Sequence, residues 1–155
     1  MSHRALSKLV PCLALSLLLT FPDVVLAVGS GPSPTPAAPR SAEADYNAGL
    51  QAKAAQRFPA AVSSFRRAVD ARPDFPEAWN ELGFALRQTG RYDEALRAYD
   101  QALKLRPNFP EAMEYLGEAY VKLGRLDDAR AILERLKPLD AGRAQELDQA
   151  IRTGR

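Results

Sequence analysis

The sequence has one cysteine and one histidine among its 155 residues. Both residues, Cys12 and His3, lie in an N-terminal segment that we expect to be removed. The rest of the chain then lacks disulfide bonds, thiolate nucleophiles, imidazole bases and nearly all zinc sites. It also has no glycine-rich phosphate loop and no cluster of metal-ligating residues. We predict a protein that is not an enzyme and uses no cofactor or metal.

A large excess of charge of one sign is also absent. The 21 basic and 19 acidic residues give a formal net charge of +2, and the basic residues are spread along the chain. Binding to nucleic acid needs a concentrated basic patch, so nucleic acid is not an expected partner. A composition of 46% hydrophobic and 26% charged residues is typical of a globular domain.

The N-terminal segment has the features of a secretory signal peptide. Arg4 and Lys8 precede an apolar run at 9–21, and small residues ending at Ala27 follow it. We therefore expect residues 1–27 to be cleaved and the protein to be exported, to a bacterial periplasm or cell envelope. An uncleaved membrane tether is the alternative, although prolines and an aspartate interrupt the run. After cleavage no contact with a membrane is expected.

Residues 28–40 read VGSGPSPTPAAPR. Proline, glycine and serine dominate this stretch and no apolar period occurs in it, so we predict a disordered linker. The linker would hold a folded domain, predicted over 41–155, away from whatever lies upstream.

The remaining chain repeats itself in three consecutive blocks of equal length. Blocks 42–75, 76–109 and 110–143 align without gaps, and the second and third both open with Pro-Glu-Ala and share Leu-Gly at the same point. Each block contains two apolar runs at helical spacing. The middle block shows them as Trp79, Leu82, Leu86 and then Ala95, Leu96, Tyr99, Leu103. A repeat period of 34 residues indicates a solenoid of helix pairs.

These blocks resemble tetratricopeptide repeats. That family has an aromatic residue at repeat position 4, Leu-Gly at 7 and 8, a large residue at 11, alanine at 20 and 27, an aromatic at 24 and proline at 32. The middle block matches with Trp79, Leu82, Gly83, Leu86, Ala95, Tyr99, Ala102 and Pro107. The resemblance implies an all-α fold, a right-handed α-α superhelix of three helix-turn-helix repeats. A capping helix at about 144–153, with Ala144, Leu147 and Ile151 on one face, is expected to cover the last repeat.

Several positions carry expectations about packing. Glycines lack a side chain where two helices must approach closely, and alanines are expected to face them from the second helix; these are Gly49, Gly83 and Gly117 with Ala61, Ala95 and Ala129. Gly90 and Gly124 stand where the turn needs a left-handed residue, whereas the first block has Gln56 there. Pro76 and Pro110 suit a first helical turn.

In the family, ligands commonly lie on the concave side, which the first helix of each pair lines at repeat positions 2, 5, 9 and 12. The groove candidates are Tyr46, Leu50, Lys53, Asn80, Phe84, Arg87, Glu111, Glu114 and Glu118, with Glu43, Glu77 and Val121 completing the positions. Phe84 has two interpretations, a binding hot spot or packing against the neighbouring repeat. Glu111, Glu114 and Glu118 also have two interpretations: they form a solvated helix face, or they form an acidic stripe for ligands bearing lysine or arginine.

One ligand of the family is not expected here. Some tetratricopeptide domains clamp the C-terminal carboxylate of heat-shock chaperones with lysine and asparagine on the concave side. The matching positions hold Tyr46, Leu50, Glu81, Glu111 and Tyr115. Two carboxylates would repel such a ligand.

The sequence therefore favours an exported protein-interaction module, an adaptor or scaffold that binds a protein or peptide segment in its concave groove. This step rests partly on the resemblance, since a fold does not by itself define a function. The alternative is a structural subunit that self-associates or belongs to a larger cell-envelope assembly.

Overall fold

A computed structural model describes residues 41–154 of the chain. The predicted signal peptide and linker lie outside these residues. The described part is entirely helical, and none of its helices is long and apolar enough to span a bilayer. The helices are α1 (Ala42–Ala54), α2 (Phe58–Ala71), α3 (Pro76–Gln88), α4 (Tyr92–Leu105), α5 (Pro110–Lys122), α6 (Leu126–Leu136) and α7 (Ala141–Thr153).

Helices that follow one another along the chain pack against each other from α1 to α6. The first helices of the pairs are also neighbours, because α3 contacts both α1 and α5. α7 packs on both α5 and α6. Each pair thus contacts the next in line, which is the arrangement of a solenoid. The predicted all-α array of helix pairs with a terminal capping helix is confirmed.

The turn inside each pair contains one left-handed residue. Gly90 and Gly124 have φ of +76° and +71°, and Gln56 adopts φ of +55° at the same point of the first pair. The residue after it donates its amide to a carbonyl five residues back, as Arg57 does to Ala52 at 2.8 Å. The same turn therefore forms without glycine in the first pair, in a conformation that costs a side-chain-bearing residue energy.

The close helix approach occurs at the predicted glycines, but against other partners than expected. A Cβ on Gly49 would lie 2.4 Å from the ring of Phe65, and one on Gly83 would lie 2.6 Å from the ring of Tyr99. The nearest neighbours are thus aromatic rings of the second helix and not its alanines. Those alanines are fully buried all the same: Ala61, Ala95 and Ala129.

The third pair differs because α7 takes part in its packing. A Cβ on Gly117 would lie 2.5 Å from Leu147, a residue of α7. Leu147 and Leu136 are both fully buried, so the capping helix closes the core at this end. It begins at Ala141, three residues earlier than expected, because the side chain of Asp140 caps it by accepting the amide of Arg143 at 3.0 Å.

Candidate ligand groove

The first helices α1, α3 and α5 place a set of aromatic and cationic side chains together. The ring of Phe84 lies 5.4 Å from the ring of Tyr115 and 6.2 Å from that of Phe58. Lys53 Nζ lies 5.0 Å from the centre of the Phe84 ring, and the guanidinium of Arg87 lies 5.5 Å from it. Phe84 is only half-buried. It therefore packs against the neighbouring repeat and still presents part of its ring to solvent.

Two ion pairs join neighbouring first helices beside this ring. Lys53 contacts Glu81 at 2.6 Å, and Arg87 contacts Glu118 at 2.8 Å. Burial raises the pKa of Glu81, while the ammonium of Lys53 acts in the opposite direction. Both cations of the groove are thus already bound by carboxylates. Glu81 was not among the groove candidates, although it is the residue that holds Lys53.

The first helix contributes Tyr46 and Leu50, both half-buried against the core. The ring of Tyr46 lies 4.8 Å from that of Phe75. Burial raises the pKa of the Tyr46 hydroxyl, and the nearby carboxylates of Glu81, Glu77 and Glu111 raise it further. Three carboxylates therefore lie near this tyrosine, of which Glu81 and Glu77 are paired with Lys53 and Arg106.

Neither of the two interpretations of Glu111, Glu114 and Glu118, a solvated helix face or an acidic stripe, describes all three glutamates of α5. Glu114 is 4% exposed and pairs with Arg143 of α7, and Glu118 pairs with Arg87. Burial and a hydrogen bond with Glu146 raise the pKa of Glu114 to about 7, although Arg143 opposes them. Only Glu111 is partly exposed and makes no ion pair with any residue in 41–154. The capping helix, which is not a repeat, is the reason that Glu114 is enclosed.

Asn80 is a second correction among the groove candidates. The residue is 1% exposed, so it offers no surface to a ligand. Its Oδ1 accepts no hydrogen bond from the described residues. Val121, at another expected groove position, is also buried, at 5% exposure. Repeat position alone placed both residues in the groove, but the helices packed on either side cover them.

A recurring ion pair occupies the other carboxylates of the groove positions. Arg72 pairs with Glu43 and Arg106 pairs with Glu77, in each case at a sequence separation of 29. The guanidinium of Arg72 also lies 3.6 Å from the centre of the Phe75 ring. Each pair ties the end of a second helix to the start of its own first helix. The sequence contained a signal for this contact, a glutamate and an arginine recurring at the same separation, which the groove assignment overlooked.

Within the described residues, the third pair has no such contact at Glu111; its glutamate–arginine pair at the same separation joins Glu114 to Arg143, three residues further along. Asp140 stands at the same separation from Glu111, and the nearest arginine, Arg143, binds Glu114 instead. In this part of the chain, Glu111 is therefore left without the arginine that its counterparts have.

The comparisons with known proteins agree with this architecture. Two family models described as "Tetratricopeptide repeat" match residues 46–108 and 86–152. Together they cover most of the described domain, and the chain belongs to the tetratricopeptide-repeat family. A search of curated proteins found no match.

Among solved structures, the TPR2B domain of yeast Sti1 in complex with pHsp70 is similar, with a TM-score of 0.68 and 21% identity. The match covers 73% of this chain and 94% of that one. The second TPR domain of human RPAP3, in complex with the HSP70 peptide SGPTIEEVD, has a TM-score of 0.68 and 21% identity over 72% of this chain and 94% of its own. A mutant of MamA is 29% identical, with a TM-score of 0.62, over 66% and 75% of the two chains. These likenesses establish a tetratricopeptide superhelix.

Proposed function

We propose that the described domain is an interaction module that binds a polypeptide segment in the groove of α1, α3 and α5. The observation that carries the proposal is the half-buried ring of Phe84 between the cations Lys53 and Arg87. Binding hot spots are enriched in aromatic residues and arginine, set among contacts that exclude water. The cations are held by Glu81 and Glu118, so the surface is ordered before a ligand arrives.

The similar solved structures support a peptide ligand. The RPAP3 domain is in complex with the HSP70 peptide SGPTIEEVD, and the Sti1 domain is in complex with a pHsp70 partner. Their identities to this chain, at 21% each, support a shared fold and not a shared ligand.

The proposal includes export. The sequence of residues 1–27, with its charged start, apolar middle and small-residue exit, supports cleavage after Ala27. N-terminal sequencing of the protein made in its natural host tests this part. A chain that starts at Val28 and is recovered outside the cytoplasm is the expected result, and an intact N-terminus would point to the tether instead.

The groove is tested by photocrosslinking in the producing cell. p-Benzoylphenylalanine replaces Leu50, at the groove surface, or Ala131, an exposed residue of α6 that serves as the control position. We expect a crosslinked polypeptide from position 50 and none from position 131. Mass spectrometry of the crosslinked peptide identifies the partner segment.

A second change tests whether the crosslink from position 50 depends on the aromatic ring of Phe84. Phe84→Ala should abolish the crosslink from position 50, whereas Tyr92→Ala, a half-buried aromatic at the start of α4, should leave it intact. Circular dichroism confirms that both variants fold. Crosslinks of equal yield from both positions would refute a groove ligand, and a crosslink to a second copy of the chain would favour self-association.

A further inference from the structure

Among the described residues, Glu111 is the one acidic groove candidate that makes no ion pair, and Arg143, which pairs with Glu114, acts on it only at longer range. Glu43 and Glu77 are each bound by an arginine at a sequence separation of 29, but Asp140 stands at that distance from Glu111. Glu111 is partly exposed and makes no ion pair within residues 41–154. Asp140 accepts the backbone amide of Arg143 and lies 3.5 Å from its guanidinium, so it supplies no cation to Glu111.

Glu111 lies next to the apolar part of the groove. It is four residues before Tyr115 on α5, so the two side chains share one helix face. The Tyr115 ring in turn lies 5.4 Å from the ring of Phe84. Burial raises the pKa of the Tyr115 hydroxyl to about 12, and the carboxylates of Glu111, Glu114 and Glu81 contribute to this rise. A carboxylate and two half-exposed aromatic rings are thus contiguous across α3 and α5.

This combination matches a particular kind of side chain. Lysine and arginine have an apolar stem that packs on aromatic surface and a charged head that pairs with a carboxylate. An acidic segment would instead bring its carboxylates against the unpaired carboxylate of Glu111 beside Tyr115. The HSP70 peptide bound by the RPAP3 domain, SGPTIEEVD, has the opposite character to the ligand that this groove suits.

Building on the proposed groove function, we propose that the bound segment carries a lysine or arginine that pairs with Glu111 beside Tyr115. An apolar residue of the same segment packs on Phe84. In an extended segment, residues two positions apart face the same side, so such a ligand has an apolar residue two positions from its cation.

The experiment measures binding of the purified protein to immobilised random nonapeptide pools that differ only in a fixed central lysine, glutamine or glutamate. We expect the apparent affinity for the lysine pool to exceed that for the glutamine pool about fivefold, as a partly exposed ion pair provides. The glutamate pool should bind more weakly than either. The lysine preference should shrink in concentrated NaCl, because salt screens partly exposed charges.

Variants assign the preference to one residue. Glu111→Gln should abolish the difference between the lysine and glutamine pools. Glu134→Gln makes the same change in charge at a residue of α6 whose side chain is 68% exposed, and it should keep the preference. Equal loss in both variants would show an effect of overall charge and overturn the inference.

The outcomes separate this inference from the groove function on which it rests. Equal binding of all three pools that still requires Phe84 would refute the cationic ligand but retain the peptide groove. A preference for the glutamate pool would also refute it. Binding of no pool would overturn the groove function and the cationic ligand together.

Discussion

The left-handed turn at Gln56 leads to a direct test of how this solenoid is stabilised. Gln56 adopts φ of +55° where the other two pairs have Gly90 and Gly124. Its side chain is exposed and makes no hydrogen bond within the described residues, so a change to glycine removes no contact. Gln56→Gly should therefore act through the backbone alone.

The magnitude follows from two opposing contributions. The left-handed conformation costs a residue with a Cβ about 1–2 kcal/mol of folding stability relative to glycine. Glycine has more freedom in the unfolded chain, which offsets about 0.4–1 kcal/mol of this gain. Gln56→Gly should then raise the free energy of unfolding by about 0.5–1 kcal/mol, and the melting temperature by about 2–5 °C for a domain of this size.

Urea denaturation followed by far-UV circular dichroism measures the change, with an unaltered m-value as the sign of an unchanged native state. Gly90→Ala and Gly124→Ala supply the converse: a Cβ at either position meets no atom within 4 Å, so any loss of stability reports the backbone conformation. Gln88→Gly, in the last turn of α3, should destabilise by up to about 1 kcal/mol. A Gln56→Gly variant no more stable than the parent would refute the argument.

Three further predictions concern the core and the capping helix. Gly83→Ala should destabilise by about 1–3 kcal/mol in the same urea assay, since its Cβ would lie 2.6 Å from the Tyr99 ring; an unchanged midpoint would contradict the close approach. Leu147→Ala should cost about 2–5 kcal/mol, since this fully buried residue fills the space beside Gly117; a loss below about 1 kcal/mol would mean that α7 does not close the core. Glu114 has a pKa raised to about 7, so the folded state binds more protons than the unfolded state between about pH 4.5 and 7. The stability of the parent should therefore fall over that range relative to Glu114→Gln, as urea midpoints at several pH values would show, and parallel pH profiles would contradict the raised pKa.

Much of the fold could be predicted from the sequence because its determinants are local and recur. The apolar spacing of the middle block and the recurrence of three equal blocks led to the helix pairs. Pro76 and Pro110 begin α3 and α5 as expected, and Gly90 and Gly124 are left-handed. A proline ring or a missing Cβ restricts or frees the backbone wherever the chain places it, so these features need no tertiary information.

The groove was predicted less well, because exposure depends on what neighbouring helices cover. Phe84, Lys53 and Arg87 come together as their repeat positions implied. Asn80 occupies another of the predicted groove positions on α3 and is nevertheless buried.

The sequence by itself therefore determined the repeat, the helices, their turns and the positions that the first helices contribute to one face. Only the tertiary structure decided which charges on that face remain for a ligand. Glu118 forms an ion pair with Arg87 of the preceding pair, and Glu114 forms one with Arg143 of the capping helix. Glu111 forms an ion pair with none of the described residues. The physical reason is that a carboxylate is neutralised by whichever cation packs within a few ångströms of it. In this protein that cation comes from a helix distant in sequence, and in one case from a helix outside the repeat.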